Sequence, residues 1–401
     1  MAQHLFEVLG ELKGCSQKLS QMLAVYQTAL PPRIAAPYRE ALSRLQNSGP
    51  VMLPTLVHQA MAASMGKDWR KNFQDFDDHR AAAASIGQVH RAIWQDGTRV
   101  AVKVMYPGAR EAVLSELAQL KLVAPIAAAA FPGAAIRPLA DAFHDCVSEE
   151  LDYRQEADYQ RAFAAAYAGD TDFLVPKVIE QQGDVLISEW VDAVPATRLV
   201  SSDDQRERNR IGLLILRFVM TSFGRTGYLY GDPHPSNFRL LADGRLGVVD
   251  FGACSAVPPP GFPPSDFSRL IGDTCDAVFN GGSDELRAVF RTHGFVSSEQ
   301  ELNVEALAVN LTPIRDLFAT PKVRMNGSWL RQRIENFTDP RLSNVTRQLT
   351  LPSDLTPIAR TIVATVGVLC QLECEGQLRE EVLRTVPELD DVIRRFEQRT
   401  Q

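Results

Sequence analysis

Gly231-Asp232-Pro233-His234-Pro235-Ser236-Asn237, followed by Val248-Val249-Asp250-Phe251-Gly252, is the stretch on which the reading of this chain turns. It sets a carboxylate at Asp232, an amide five positions on at Asn237, and a second carboxylate at Asp250, 13 residues further. Asn237–Leu241 and Leu246–Asp250, joined through Asp243-Gly244, predict a short hairpin that ends in Asp250. Hard magnesium takes oxygen ligands from a carboxylate and an amide held side by side, and a phosphoryl group needs its charge neutralised in that way. Asp232 is then placed to accept a proton from a hydroxyl or water nucleophile. Either half alone reads equally well as a turn beside a strand. In this order and at this spacing they point to phosphoryl-transfer chemistry.

Upstream, Val100, Val102 and Val104 alternate with Ala101, Lys103 and Met105, the period of a strand. Gln88–Trp94 precedes them across the turn signal Asp96-Gly97, so the pair predicts a hairpin with Lys103 on the face opposite three valines. Ala81–Ala84 with Ser85-Ile86-Gly87-Gln88-Val89-His90 enters that hairpin. Small residues there suit a helix, a tight turn, or a loop whose backbone N–H groups reach a phosphate, less permissively than a glycine-rich loop would. A buried lysine needs a carboxylate partner, and Glu149, Glu150, Asp152 and Glu156 form the reservoir; without that role they would be a charged, exposed helix face. On an unbroken helix Glu149, Asp152 and Glu156 share a face and Glu150 points away, so Glu150 and Glu156 would serve different partners unless the helix is distorted.

Bulk properties bound the alternatives. With 401 residues the chain can bury a sizeable core. A net charge of −7 excludes a basic stripe for nucleic acid but not a nucleotide ligand. The six cysteines are scattered without a CxxC pair, which predicts free thiols in a cytoplasmic setting. Cys370 and Cys374, one helical turn apart, read as packing rather than metal ligands. The N-terminus lacks a signal pattern, and no run of about 18 apolar residues predicts a membrane span. Residues 1–62 read as helical, broken at Pro31-Pro32 and Gly49-Pro50. Arg208–Phe223 reads as a long apolar helix and Asp184–Trp190 as a short strand.

The spacing of Lys103, Asp232, Asn237 and Asp250-Phe251-Gly252 resembles that of protein kinases. Three further stretches make the resemblance narrower. These are Ala82–His90, Val102-Lys103-Val104 with Tyr106-Pro107-Gly108, and Glu150-Leu151-Asp152-Tyr153 with Glu156-Ala157. Together with Asp232–Asn237 they resemble the UbiB/AarF atypical kinase family, which supports biosynthesis of coenzyme Q and other isoprenoid lipids.

That resemblance implies an α+β, bilobal protein-kinase-like fold. A helical extension over residues 1–65 would precede an N-lobe with a helical insertion over 66–191 and a helix-rich C-lobe over 192–401. It implies ATP or ADP with Mg2+ as cofactors. Lys103 would contact phosphates and pair with Glu156, Asp232 would be the catalytic acid of the loop, and Asn237 and Asp250 would hold magnesium. Ala83, Ala84, Ser85 and Gly87 would line the phosphates, and Glu189 and Val191 the adenine. Lys18-Leu19-Ser20-Gln21 matches the family's Lys-x-Gly-Gln motif, in which Lys18 and Gln21 would regulate the site and the lysine would pair with Glu150 and Asp152. Ser20 and Ser236 replace motif glycines, and Tyr230 replaces a histidine often found two residues before the catalytic aspartate. Expected partners are isoprenoid or quinone lipids or their biosynthetic enzymes, with peripheral membrane contact, and a homodimer is allowed. An ATPase or small-molecule kinase is the first expectation; a nucleotide-binding pseudokinase scaffold is the alternative. Kinase action on proteins is disfavoured because Pro258-Pro259-Pro260 follows Asp250-Phe251-Gly252 with no Ala-Pro-Glu segment.

Overall fold

The computed structural model describes residues 51–115, 117–118, 151–296, 302–320, 322–338, 349–386 and 388–400. The chain divides into two compact units, one comprising the described part of residues 32–196 with Ser236–Cys254, the other Thr197–Pro235 with the described part of Ser255–Gln401.

The first unit is built on a five-stranded antiparallel sheet ordered β1-β2-β3-β6-β5. Its strands are β1 (Phe73–Ala84), β2 (Gly87–Trp94), β3 (Arg99–Met105), β5 (Val178–Gln182) and β6 (Val185–Glu189). Gly97, at φ +90°, turns the chain between β2 and β3, and Asp96 fixes the turn by accepting the Thr98 N–H at 2.8 Å. Val100, Val102 and Val104 are fully buried. They pack with Ile187, Trp69, Phe76 and Trp94 under helix α1 (Pro54–Met65), which contributes Val57 and Met61. Covering one sheet face with a helix leaves the other face, with Ala101 and Lys103, for the site.

The alanine run settles as strand. Ala83 pairs with Gln88 and Ala84 with Gly87 across the turn Ser85-Ile86. Ile86 is buried beside Met105 and Tyr153, and its carbonyl accepts the Tyr106 N–H at 2.9 Å, so the turn is anchored. Gly87 has a steric reason: a Cβ there would lie 2.3 Å from the Val104 carbonyl oxygen and 3.0 Å from the Tyr153 hydroxyl. The strand β1 itself was not foreseen, nor was the network that ties it to the sheet. Met52 N–H donates to Gln88 Oε1 at 3.0 Å, Gln88 Nε2 donates to His90 Nε2 at 2.8 Å, and His90 Nδ1 donates to the Asp77 carbonyl at 2.9 Å. Gln88 and His90 are both fully buried.

This chain of donors requires a neutral His90, because a second ring proton would face the Gln88 amide donor. Burial is the main influence and holds the His90 pKa below its ordinary 6.5, against the Asp77 carbonyl bond and the nearby Asp78 and Asp77 charges. The unfolded chain therefore binds the proton more readily than the folded one. Stability is expected to be complete above about pH 6.5 and to fall as the pH drops below it. Urea midpoints between pH 7.5 and 5 should show that slope, and His90→Gln should flatten it.

Helix α2 (Tyr153–Ala166) follows, then β4 (Phe173–Leu174) and, after β6, β7 (Val194–Pro195). Asp152 has non-helical φ and ψ and caps α2 by accepting the Arg154 and Gln155 N–H groups, each at 3.0 Å. The helix therefore begins at Tyr153 and Asp152 stands outside it as the cap, while Glu149 lies outside the described residues. From Glu156 onward one stripe, Glu156, Gln160 and Phe163, is buried.

The second unit holds α3 (Gln205–Thr226) and the strand β8 (Tyr228–Tyr230). Asp204 caps α3 and Gly227, at φ +77°, ends it. Ser222 Oγ accepts the Tyr230 N–H at 3.0 Å, and the buried Tyr230 ring meets Phe218 edge-on at 5.1 Å. Among the described residues, seven further α-helices lie between 264 and 400 in this unit. The turn after residue 372 docks on α3, where Cys374 sits so close to Gly212 that a Cβ would meet its sulfur at 2.6 Å. Among the described residues Cys254, Cys275, Cys370 and Cys374 are free thiols, and burial pushes the Cys374 thiol up to about 12. No helix among the described residues is long and apolar enough to cross a membrane.

The chain re-enters the first unit with β9 (Phe238–Leu240) and β10 (Leu246–Val248), which lie between β7 and β4 in a sheet ordered β4-β10-β9-β7. Gly244, at φ +89°, turns the hairpin, and the Val249 N–H closes its base on the Asn237 carbonyl at 3.0 Å.

Candidate functional site

Three elements of the first unit converge on Lys103. From β3 its ammonium donates to both oxygens of Glu156 on α2, at 2.8 and 2.9 Å. Asp250, beyond β10, brings Oδ2 to 3.9 Å, and the Tyr153 ring lies 4.9 Å beneath the ammonium. The Glu156 side chain is 3% exposed, that of Lys103 18% and that of Asp250 34%. Burial, the strongest influence, disfavours the Lys103 charge. The Asp250, Glu156 and Tyr153 fields and the Glu156 hydrogen bond outweigh it, so its pKa lies above the usual lysine range and the ammonium persists across the physiological range.

Helix α2 also fixes the hairpin that carries Asp250. Phe163, two turns beyond Glu156, meets the fully buried Phe251 at 5.1 Å between ring centroids. Gln160 between them donates to the Pro176 carbonyl at 2.8 Å. One helix stripe thus positions the partner of the lysine and the residue next to Asp250.

Asn237 is buried, and its Oδ1 accepts the Ser236 hydroxyl at 3.2 Å. Asp250 Oδ1 accepts the Gly252 N–H at 3.1 Å, which orients the carboxylate and leaves lone pairs on both oxygens. Among the described residues no group of three or more His, Cys, Asp or Glu could hold a metal alone. The donor set fits a cation that brings its own oxygen ligands: one carboxylate and one amide, with phosphates and water to complete six positions.

Ala83, Ala84 and Ser85 are half-buried at the β1–β2 turn, and Gly87 is buried. Glu189 closes the end of the β5–β6 pair, its carboxylate accepting the Lys177 N–H at 2.9 Å. The Trp190 N–H donates to the Arg99 carbonyl at 2.9 Å, which carries the β3–β6 pairing to the segment before Val191. Val191 lies against Gly247, where a Cβ would meet it at 3.2 Å, so glycine lets this segment approach β10. Asp232 belongs to the second unit, half-buried between β8 and the turn Pro235–Asn237. Lys18, Gln21 and Glu150 lie outside the described residues, whereas Asp152 serves as the α2 cap. Tyr230, the departure from histidine, is a packing residue of the second unit. The Gln88–His90 network escaped the sequence because its partners Met52 and Asp77 are remote along the chain.

A five-stranded antiparallel sheet with a lysine clamped by a helix carboxylate, and a hairpin ending in Asp-Phe-Gly, define a kinase-like protein of α+β class. The description of the ABC1 atypical kinase-like domain matches residues 44–260. The chain belongs to that family, the UbiB/AarF atypical kinases. It is 31% identical over 312 residues to the mitochondrial atypical kinase coq-8 of Caenorhabditis elegans, covering 74% of this chain and 39% of the relative. With the mitochondrial atypical kinase COQ8 of Saccharomyces cerevisiae it shares 30% over 249 residues, 61% of this chain and 48% of the relative. The chain thus spans less than half the length of these two curated relatives. The solved structure of Rv3197 from Mycobacterium tuberculosis, in complex with erythromycin, superposes with a TM-score of 0.69 at 34% identity and covers 96% of both chains.

Proposed function

We propose that this chain binds Mg2+ with ATP or ADP and acts as an atypical kinase or ATPase in support of ubiquinone or another isoprenoid lipid. The observation that carries this is the Lys103 ammonium, held by Glu156 and facing a part-exposed Asp250 carboxylate on the hairpin that begins at Asn237. Glu156 is spent on the lysine, so Asp250 remains to meet a cation. Lys103 then offers its remaining donor to phosphate oxygens, the anchored turn at Ser85 closes over them, and Glu189-Trp190-Val191 borders the base. Bound magnesium, held through Asn237 and Asp250, would supply neutralisation of phosphate charge. Asp232 accepts the proton of the attacking hydroxyl or water. The lipid role is supported by membership of the UbiB/AarF family, and the membrane contact proposed with it is peripheral.

The test is hydrolysis of ATP by the purified full chain with and without Mg2+, in the presence and absence of vesicles and a phenolic lipid precursor. Magnesium-dependent phosphate release supports the proposal. Tight nucleotide binding without turnover under every condition points instead to a scaffold that organises partner enzymes.

A further inference from the structure

We infer that Arg110 is a positioning residue, a two-pronged clamp that fixes the entry of α2 and thereby where Glu156 meets Lys103. The inference rests on the nucleotide-site role of that pair. Arg110 lies near the start of the helical stretch 109–115, just after Tyr106-Pro107-Gly108. One guanidinium nitrogen donates to the Leu151 carbonyl at 2.7 Å and another to Asp184 Oδ1 at 2.6 Å. Asp184 is itself held in the turn before β6. Its N–H donates to Ser64 Oγ of α1 at 3.1 Å, and its carbonyl accepts the Met105 N–H at 3.0 Å, two residues beyond Lys103. Leu151 is buried beside Tyr153 and immediately precedes the Asp152 cap.

The clamp therefore joins the end of the lysine strand to the residue before the helix cap. Glu156 stands one turn inside that helix and moves with its entry. A guanidinium suits the task because its fork serves two acceptors at once, whereas an ammonium is a single flexible point.

Acylation of Lys103 by an amine-reactive succinimidyl ester, followed by peptide mass spectrometry on the nucleotide-free full chain, tests this. Largely buried and donating to both oxygens of Glu156, Lys103 should react slowly with the ester. Arg110→Ala should speed its acylation about 5-fold. Asp184→Ala should do the same, the double variant should add nothing, and Arg110→Lys should fall between. Should Arg110→Ala fail to fold, Arg110→Lys and Asp184→Asn carry the comparison. Unchanged acylation in folded variants overturns the clamp. Calorimetric titration of the unmodified chain with Mg2+-ATP is run alongside. If acylation responds but no nucleotide binds, the clamp stands and the proposed nucleotide role is wrong; if nucleotide binds and acylation is unchanged, the reverse holds.

Discussion

Asp250→Asn is expected to lower magnesium-dependent ATP hydrolysis by about 10²–10³-fold, the scale seen when one preorganised electrostatic partner of a transition state is removed. The substitution keeps the shape and an oxygen that can accept the Gly252 N–H. It removes the one carboxylate charge that Glu156, consumed by Lys103, does not replace. Stability should hardly change, because Lys103 keeps its bidentate partner; the melting temperature should stay within about 2 °C. Phosphate release measured across a magnesium titration checks the claim, since lost activity should not be recovered by saturating metal. Lys103→Ala should be comparably inactive but less clean, because it strands the buried Glu156 without its cation. Retained hydrolysis in both variants would sink the assignment of this site.

Much of this architecture was legible because local signals agreed with tertiary demand. Valines at period two predicted the buried face of β3, and Asp96-Gly97 predicted its turn; both hold. The Asp243-Gly244 hairpin holds for the same reason. Strand β1 was not legible. Asp75, Asp77, Asp78, His79 and Arg80 make it polar, and register shifts between Phe73 and Asp75, Phe76 and Arg80, and Arg80 and Ala82 erase the alternation. It is a strand because Phe73 and Phe76 join the core and the edge of the sheet tolerates the rest.

The start of α2 could have been found. Asp152 followed three residues later by Gln155 is an N-cap signature, and it argues against a helix continuing through 152. What no local pattern contains is convergence. The pairing of Lys103 with Glu156 spans 53 residues and the contact of Phe163 with Phe251 spans 88, so each follows from the packing of α2 against both sheets. The Ser236 hydroxyl on Asn237 is likewise visible only in three dimensions, although the residue itself stood out as a departure from glycine.

Glu156→Ala is expected to destabilise the chain by about 3 kcal/mol, at the lower end of the cost of breaking a buried ion pair. The lower end applies because Asp250 offers Lys103 a second carboxylate only 3.9 Å away. That same proximity predicts the functional consequence. Freed from Glu156, the ammonium moves to Asp250 and competes for the carboxylate that would meet magnesium, so the half-saturating Mg2+ concentration should rise about 10-fold. Urea unfolding gives the first number and a magnesium titration of nucleotide binding the second. A double variant separates fold from chemistry. Lys103→Met with Glu156→Leu removes both charges and refills the space with apolar atoms, so stability should return to within about 1 kcal/mol of the unmodified chain. Nucleotide binding should nonetheless be lost, because no ammonium is left to face a phosphate. If the double variant is instead as unstable as Glu156→Ala, the pair is needed for the fold itself.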